Sequence, residues 1–274
     1  MNVAPATLTD PATVERLVES AIEAGVLILA VRRRGLSVER KADLSPVTEA
    51  DRAAEAEILK CLDEVAPGIP VVAEEAVAAG RIPEVGDEFF LVDPLDGTKE
   101  FVKGGDDFTV NIGLIRNGVP VLGIVLAPAT GDLYVGIAGE GAWKAKVAAG
   151  KIGPRHKVSI RPAPDGPILV VASKSHRTPE TDDFIFKFNV GNLVSAGSSL
   201  KFCLVAAGEA DLYPRMGTTM QWDTAAGDAV VRAAGGSVVT LDGKPLPYGP
   251  NGEAGAAAFR NPWFVVAGGI APLP

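Results

Sequence analysis

The chain has 274 residues, of which 47% are hydrophobic, enough for one large domain or two closely packed halves with a real core. Its net charge of −8 disfavours nucleic acid as a partner, because the phosphates would be repelled wherever no local basic patch met them. The two cysteines, Cys61 and Cys203, stand far apart outside any Cys-x-x-Cys pattern, so they point to core packing rather than to a disulfide framework or a zinc site.

In chain order, Asp10-Pro11 reads as an N-cap followed by proline at the first helical position. Val14, Leu17, Val18, Ala21 and Ile22 then recur at helical spacing. The N-terminus lacks the basic segment, apolar stretch and cleavage site of a secretion signal, so the expected compartment is the cytoplasm. The apolar run 24–31 is too short to span a bilayer. Arg32-Arg33-Arg34 after it reads as a solvated helix end, with a weak membrane-surface contact as the lesser alternative.

A second helix is expected over 49–66, preceded by Thr48 and stopped by Pro67-Gly68. Strands are expected at 69–73 and 89–92, and a hairpin over 109–116 and 119–126 turns on Asn117-Gly118, so this half should hold a largely antiparallel sheet. After a Pro/Gly-rich stretch at 161–167 the pattern becomes α/β, with strands at 168–172, 193–195, 210–213 and 237–241. Helices are expected at 178–187, 198–207 and 223–234.

Four acidic segments carry the candidate chemistry. In Asp93-Pro94-Leu95-Asp96-Gly97-Thr98 two carboxylates stand three residues apart directly after a strand, and the turn aims both at one place. A hard cation such as Mg²⁺ is held by one or two carboxylates together with the phosphate oxygens of a substrate. Thr98 would cap a short helix whose free N–H groups face the same place. The plain alternative is an ordinary Asp-Gly turn.

Glu74-Glu75 ends the preceding strand, where it would share a cation with Asp93 if the two strands are neighbours, or simply start a solvated loop. Asp223, in Trp222-Asp223-Thr224-Ala225-Ala226-Gly227, opens an Ala-rich helix and is either a ligand or a plain N-cap. Thr48 and Asp51 form either a capping box or part of the chemistry.

Taken together, the segments resemble the Mg²⁺-dependent, lithium-sensitive phosphatase superfamily that contains inositol monophosphatases and 3′(2′),5′-bisphosphate nucleotidases. The likeness covers nearly the whole chain. Lys99-Glu100-Phe101, Ser45-Pro46-Val47-Thr48, Ser199-Leu200-Lys201 and Tyr213-Pro214-Arg215 look most like the bacterial CysQ branch.

The resemblance implies an αβαβα layered sandwich of mixed α/β class. It would be a single phosphatase domain over 1–274, with an α+β half at about 1–162, an α/β half at about 163–274 and the site between them. Glu74, Asp93 and the carbonyl of Leu95 would hold one Mg²⁺, and Asp93, Asp96 and Asp223 a second, with two or three ions in all. Thr98 and Asp51 would orient and deprotonate the attacking water, with Glu74 nearby. The backbone amides of Gly97 and Thr98 would cradle the phosphate, and Arg215 would receive a second phosphate unless it merely pairs with a surface carboxylate.

The implied reaction is removal of the 3′-phosphate of adenosine 3′,5′-bisphosphate, giving AMP and phosphate, in sulfate assimilation. An inositol-1-phosphate or sugar-phosphate phosphatase is the alternative, and a non-catalytic phosphate-binding protein on the same fold is a third. Family members often form homodimers. His156 and His176 lie outside the matched motifs and read as surface or polar-loop residues.

Overall fold

Asp10 opens the first helix by accepting hydrogen bonds from the N–H groups of Ala12 and Thr13, with Pro11 at its first position, so α1 (Pro11–Arg34) starts where the sequence predicts. The structure is a computed structural model that describes residues 8–35, 38–40 and 46–274; Ser45 of the Ser-Pro-Val-Thr segment lies outside the described residues. A short ribbon of β1 (Val38–Arg40) and β2 (Pro46–Thr48) leads into α2 (Glu49–Val65), β3 (Val71–Ala73) and α3 (Glu74–Ala78). Then come β4 (Glu88–Asp96), α4 (Thr98–Val102), β5 (Thr109–Arg116) and β6 (Val119–Ala127). They are followed by β7 (Asp132–Ile137), β8 (Gly141–Ala148), β9 (Lys151–Ile152) and β10 (His156–Val158).

These strands build an eight-stranded sheet ordered β10-β8-β7-β6-β5-β4-β3, with β9 on β8. Every pairing along it is antiparallel except β3 with β4. The β5–β6 hairpin turns on Asn117 and Gly118, both at positive φ (52° and 73°), as a two-residue turn matched to strand twist requires.

The remainder runs β11 (Ile168–Ser173), α5 (Pro179–Ile185), β12 (Val190–Ala196), α6 (Leu200–Ala206) and β13 (Leu212–Arg215). A 3-10 turn at Gln221–Asp223, α7 (Ala225–Ala233), β14 (Ser237–Thr240), a second 3-10 turn at Gly255–Phe259 and β15 (Phe264–Ala267) complete it. Its sheet has the order β12-β11-β13-β15-β14 and is parallel only where β11 meets β12 and β13.

Alternation along β4 explains the layering. Phe90 and Val92 face α1 and α2, in a core with Leu17, Ile28, Ile58 and Leu62. Phe89 and Leu91 face the other way, into a core with Phe202, Val230, Tyr213 and Phe264 that fills the space between the two sheets around α6 and α7. A third cluster packs Phe184 and Ile185 of α5 on Val170, Leu212 and Val265. The order is therefore helices, sheet, helices, sheet, helix, and each fully buried Phe or Leu side chain adds ~1.5–3 kcal/mol to it.

Helix α7 sits unusually close to the larger sheet. Gly113, Gly123 and Gly136 are cross-strand partners in β5, β6 and β7, making a row without side chains. A Cβ on Gly123 would stand 2.1 Å from the carbonyl oxygen of Ala226, and one on Gly136 2.5 Å from Cα of Val230. One on Gly113 would stand 2.8 Å from Cβ of Ala225. Backbone contact therefore sets the depth of α7 in the sheet.

Several expectations shift. Strand β4 continues through Asp93 to Asp96 rather than stopping at Val92, with a register irregularity between those two aspartates. Glu74-Glu75 begins α3 instead of a loop. The arginines after the apolar run are not all solvated: Arg32 donates to Asp106 Oδ1 (2.9 Å) and to the Gly104 carbonyl (2.7 Å), and lies over the Phe108 ring. Among the described residues no helix is long and apolar enough to cross a membrane. Cys61 and Cys203 are buried and free, as expected.

Candidate active site

Two strand ends bring the first acids together. β3 and β4 are parallel neighbours with Ala73 beside Val92, so the next residues, Glu74 at the start of α3 and Asp93 still within β4, follow side by side where that pairing ends. The start of α3 is tied down from below by Glu55 of α2, whose Oε2 accepts the Glu75 N–H at 2.7 Å. Asp93, 1% exposed, accepts the Leu95 N–H on Oδ1 (2.9 Å), an Asx turn that bends the chain toward Asp96.

Asp96 Oδ2 accepts from the Ser199 hydroxyl at 3.1 Å, so a residue of the second sheet's layer holds it. Gly97 then takes φ +93°, where a Cβ would stand 2.7 Å from the Asp107 carbonyl oxygen, so only glycine fits. It is Gly97 that caps α4, and Thr98 is the first helical residue, correcting the expected cap.

The remaining parts come from distant segments. The box predicted at Thr48 forms: Asp51 Oδ2 accepts from the Thr48 N–H (2.8 Å) and hydroxyl (2.7 Å). Its other oxygen is also used, since Asp51 Oδ1 lies 3.1 Å from the Thr98 hydroxyl, which is equally 3.1 Å from the Leu95 carbonyl. Asp51 thus closes the capping box with one oxygen and meets Thr98 of the acidic motif with the other.

Asp223 closes the 3-10 turn and accepts the Met220 N–H on Oδ2 at 2.8 Å; Thr224, not Asp223, occupies the cap position of α7. Thr224's φ of −120° and ψ of −32° break the helix before Asp223 can join it.

Glu74, Asp93, Leu95, Asp96, Gly97, Thr98, Arg215 and Asp223 all line one cavity of about 560 Å³ between the two halves. Asp51 sits behind Thr98 in its wall. Burial pushes Asp93 well above the usual carboxylate range, reinforced by Glu74, Asp96 and Asp223. Asp223 is raised for the same reasons, burial first and then Asp96 and Glu74. Asp96 is raised by burial, against the pull of Lys201 and Ser199.

Such mutual repulsion among oxygen donors is the chemistry of a site that fits a hard divalent cation. Among the described residues no three His, Cys, Asp or Glu side chains form a ready cage.

The lining also has a cationic part. Arg215, 7% exposed, donates from Nη2 to the Thr218 carbonyl (3.0 Å), while its buried Nε has no hydrogen-bond partner among the described residues. It pairs with the chain's backbone here, and its guanidinium faces the cavity. Lys201, 4% exposed, donates to the Ser198 carbonyl at 2.5 Å, and burial lowers its pKa to about 8. Lys99 Nζ lies 3.2 Å from His176 Nε2 at the mouth. Desolvation at this rim, with Arg215 and Lys99 alongside, lowers the His176 pKa to about 4.

His176 is a polar-loop residue as predicted, yet it also lines the cavity. Neither His176 nor Lys201 was assigned a role from sequence; for Lys201 the available signal was the Ser199-Leu200-Lys201 segment. His156 lies in exposed β10, away from the cavity.

Comparison with known proteins identifies the family. The inositol monophosphatase family matches residues 10–267. The 3′(2′),5′-bisphosphate nucleotidase CysQ of Shigella flexneri is 44% identical over 255 residues, covering 92% of this chain and 98% of the relative. That of Escherichia coli K12 is 43% identical over the same shares. The crystal structure of CysQ from Bacteroides thetaiotaomicron superposes with a TM-score of 0.79 at 38% identity, over 97% of this chain and all (100%) of that one. The Thermotoga maritima IMPase gives 0.72 at 26% identity, over 94% and 92%. On the family match over residues 10–267 and these relatives, the chain belongs to the inositol monophosphatase family.

Proposed function

We propose that the chain is a Mg²⁺-dependent 3′(2′),5′-bisphosphate nucleotidase that removes the 3′-phosphate of adenosine 3′,5′-bisphosphate, in a single domain spanning both halves. The observation that carries this reading is the make-up of the cavity lining, which holds the carboxylates Glu74, Asp93, Asp96 and Asp223 together with Arg215, Lys201, Lys99 and His176. A monophosphate needs only the carboxylates and the ions they would hold. The cationic part of the lining suits another phosphate, and the unpartnered Nε of buried Arg215 favours an anion there.

Glu74, Asp93 and the Leu95 carbonyl would hold one Mg²⁺ and Asp93, Asp96 and Asp223 another, with room for a third during turnover. Bound there, the ions would neutralise the phosphate and lower the pKa of a water. The protein's own groups do the rest. The Thr98 hydroxyl, donating to Asp51 Oδ1, keeps a lone pair to accept from the attacking water, and Asp51 and Glu74 take up its proton. Gly97 and Thr98 offer first-turn N–H groups to the phosphate oxygens. Trp222, Met220 and Val77 supply an apolar stretch of lining for the base.

A cytoplasmic place of action and a homodimer go with this reading. The test compares Mg²⁺-dependent phosphate release from adenosine 3′,5′-bisphosphate and from inositol 1-phosphate. A higher kcat/KM for the nucleotide is expected, and a clear preference for the inositol substrate overturns the assignment.

A further inference from the structure

Lys99-Glu100, directly after the Gly-Thr of the acidic motif, touches neither the cavity's other carboxylates nor Arg215 through any hydrogen bond described so far, yet Glu100 is only 9% exposed and lines the cavity. A buried carboxylate needs a partner to offset its desolvation. The partner comes from the other half of the molecule: the Ser175 hydroxyl donates to Glu100 Oε1 in a short hydrogen bond.

The neighbours of Ser175 are tethered to the same segment. Lys174 Nζ lies 3.3 Å from Asp107 Oδ2, and His176 Nε2 lies 3.2 Å from Lys99 Nζ. Three consecutive residues after β11 are therefore each held to residues 99–107, and of the three anchors on that side only Glu100 is buried.

The loop so anchored carries His176 beside Arg215. A Cβ built on Gly217 would lie 3.6 Å both from the His176 carbonyl oxygen and from Arg215 Nε, so the two residues flank the same backbone point. Displacing residues 174–176 would draw His176 away from Lys99 and Arg215, while Asp51, Glu74, Asp93, Thr98 and Asp223, on other segments, would stay in place.

We propose that Glu100 is a specificity-determining positioning residue: through Ser175 it fixes the 174–176 loop where His176 and Lys99 face Arg215, and so sets the preference for a substrate with a second phosphate over one with a single phosphate. This rests on the reading that the cationic part of the lining receives that second phosphate. Glu100 itself does not touch the reacting atoms. Its carboxylate also acts electrostatically on His176 and Lys201, a direct effect that Ser175→Ala leaves in place, and its backbone carbonyl independently holds Gly105 (2.8 Å).

The test uses Glu100→Ala, Glu100→Gln and Ser175→Ala in the full-length, Mg²⁺-loaded enzyme, assayed with adenosine 3′,5′-bisphosphate and with 3′-AMP, which lacks the 5′-phosphate. Glu100→Ala and Ser175→Ala should each raise KM for the bisphosphate about tenfold, the scale of a hydrogen bond to a charged group, with kcat held within about twofold. KM for 3′-AMP should not move. Glu100→Gln, which keeps an acceptor oxygen, should fall between wild type and Glu100→Ala. The double variant should be no worse than Glu100→Ala alone, because both remove the same bond.

An equal loss on both substrates, or bisphosphate KM unchanged in Ser175→Ala, overturns the proposal. Ser175 is exposed, so that variant reports even where Glu100→Ala does not fold. A wild-type enzyme with no preference for the bisphosphate over 3′-AMP would instead overturn the underlying substrate reading, which keeps the two failures apart.

Discussion

Asp51 divides its carboxylate between two segments: Oδ2 closes the N-terminus of α2 on Thr48, and Oδ1 meets the Thr98 hydroxyl at 3.1 Å, 47 residues further along the chain. Helix capping and the proposed water positioning would thereby be coupled in one side chain. Thr98→Val should lower kcat by about 10²–10³ with little change in melting temperature. Asp51→Asn should lower kcat comparably and also cost about 1 kcal/mol of stability through the weakened cap. Steady-state kinetics with thermal unfolding of both variants checks this; equal melting losses in both would break the division of roles.

Asp93 is the acid on which burial and three neighbouring carboxylates act together. Asp93→Asn should reduce phosphate release by about 10³ or more, since it removes the charge shared between the two proposed ion positions. The same variant should melt higher than wild type when no metal is present, because it relieves the repulsion. Turnover near the wild-type rate would remove the two-ion reading.

Stability without metal should fall as pH rises. Asp93, Asp96 and Asp223 have folded-state pKa values above 3.8, so the folded chain binds their protons more tightly than the unfolded one. Their contribution is complete below 3.8 and is lost as pH climbs through the raised values. Buried Asp228, raised to about 6 against the pull of Arg232 and Tyr248, adds to the same slope up to that pH. Denaturant unfolding in chelator between about pH 5 and 8 should show the decline, and Mg²⁺ should offset it increasingly toward the alkaline end, where the ligands are ionised. A Mg²⁺ effect that shrinks with rising pH would contradict this.

Gly123→Ala should be among the costliest small substitutions in the larger sheet. Its Cβ would meet the Ala226 carbonyl oxygen at 2.1 Å, and relief requires α7 to lift. A loss of about 3 kcal/mol, at the upper end for overpacking, is expected, with a weaker apparent affinity for Mg²⁺ because Asp223 precedes the displaced helix. Denaturation and Mg²⁺-induced melting shifts give both numbers. An unchanged Mg²⁺ shift would uncouple α7 from the site.

Much of this was readable from local chemistry. Asp10-Pro11, Thr48 with Asp51, and Asn117-Gly118 each specify their own backbone geometry, and all three form as predicted. The acidic segments converge because β3 and β4 are parallel neighbours, a pairing the sequence allowed but did not dictate. Strands β7 to β10 went unassigned, for Lys144, Lys146 and several glycines interrupt their apolar alternation. The starts of α4 and α7 moved by one or two residues because Gly97 and Thr224 hold non-helical angles that composition does not reveal. His176 and Lys201 reach the cavity only through packing of the second sheet against the first, and no spacing rule announces contacts of that range.

The glycine row beneath α7 also bears on how such a site can diverge. The wall holding Asp223 rests on main-chain contact at Gly113, Gly123 and Gly136, so no exchange of side chains there can widen or narrow it without dislodging the helix. Ser173, His176, Arg215 and Thr218 line the cavity from segments that the glycine row does not fix. If the proposed ion site is right, changes in which phosphorylated compound is accepted would fall on those segments, leaving the position of Asp223 a fixed reference against which new substrates are gauged.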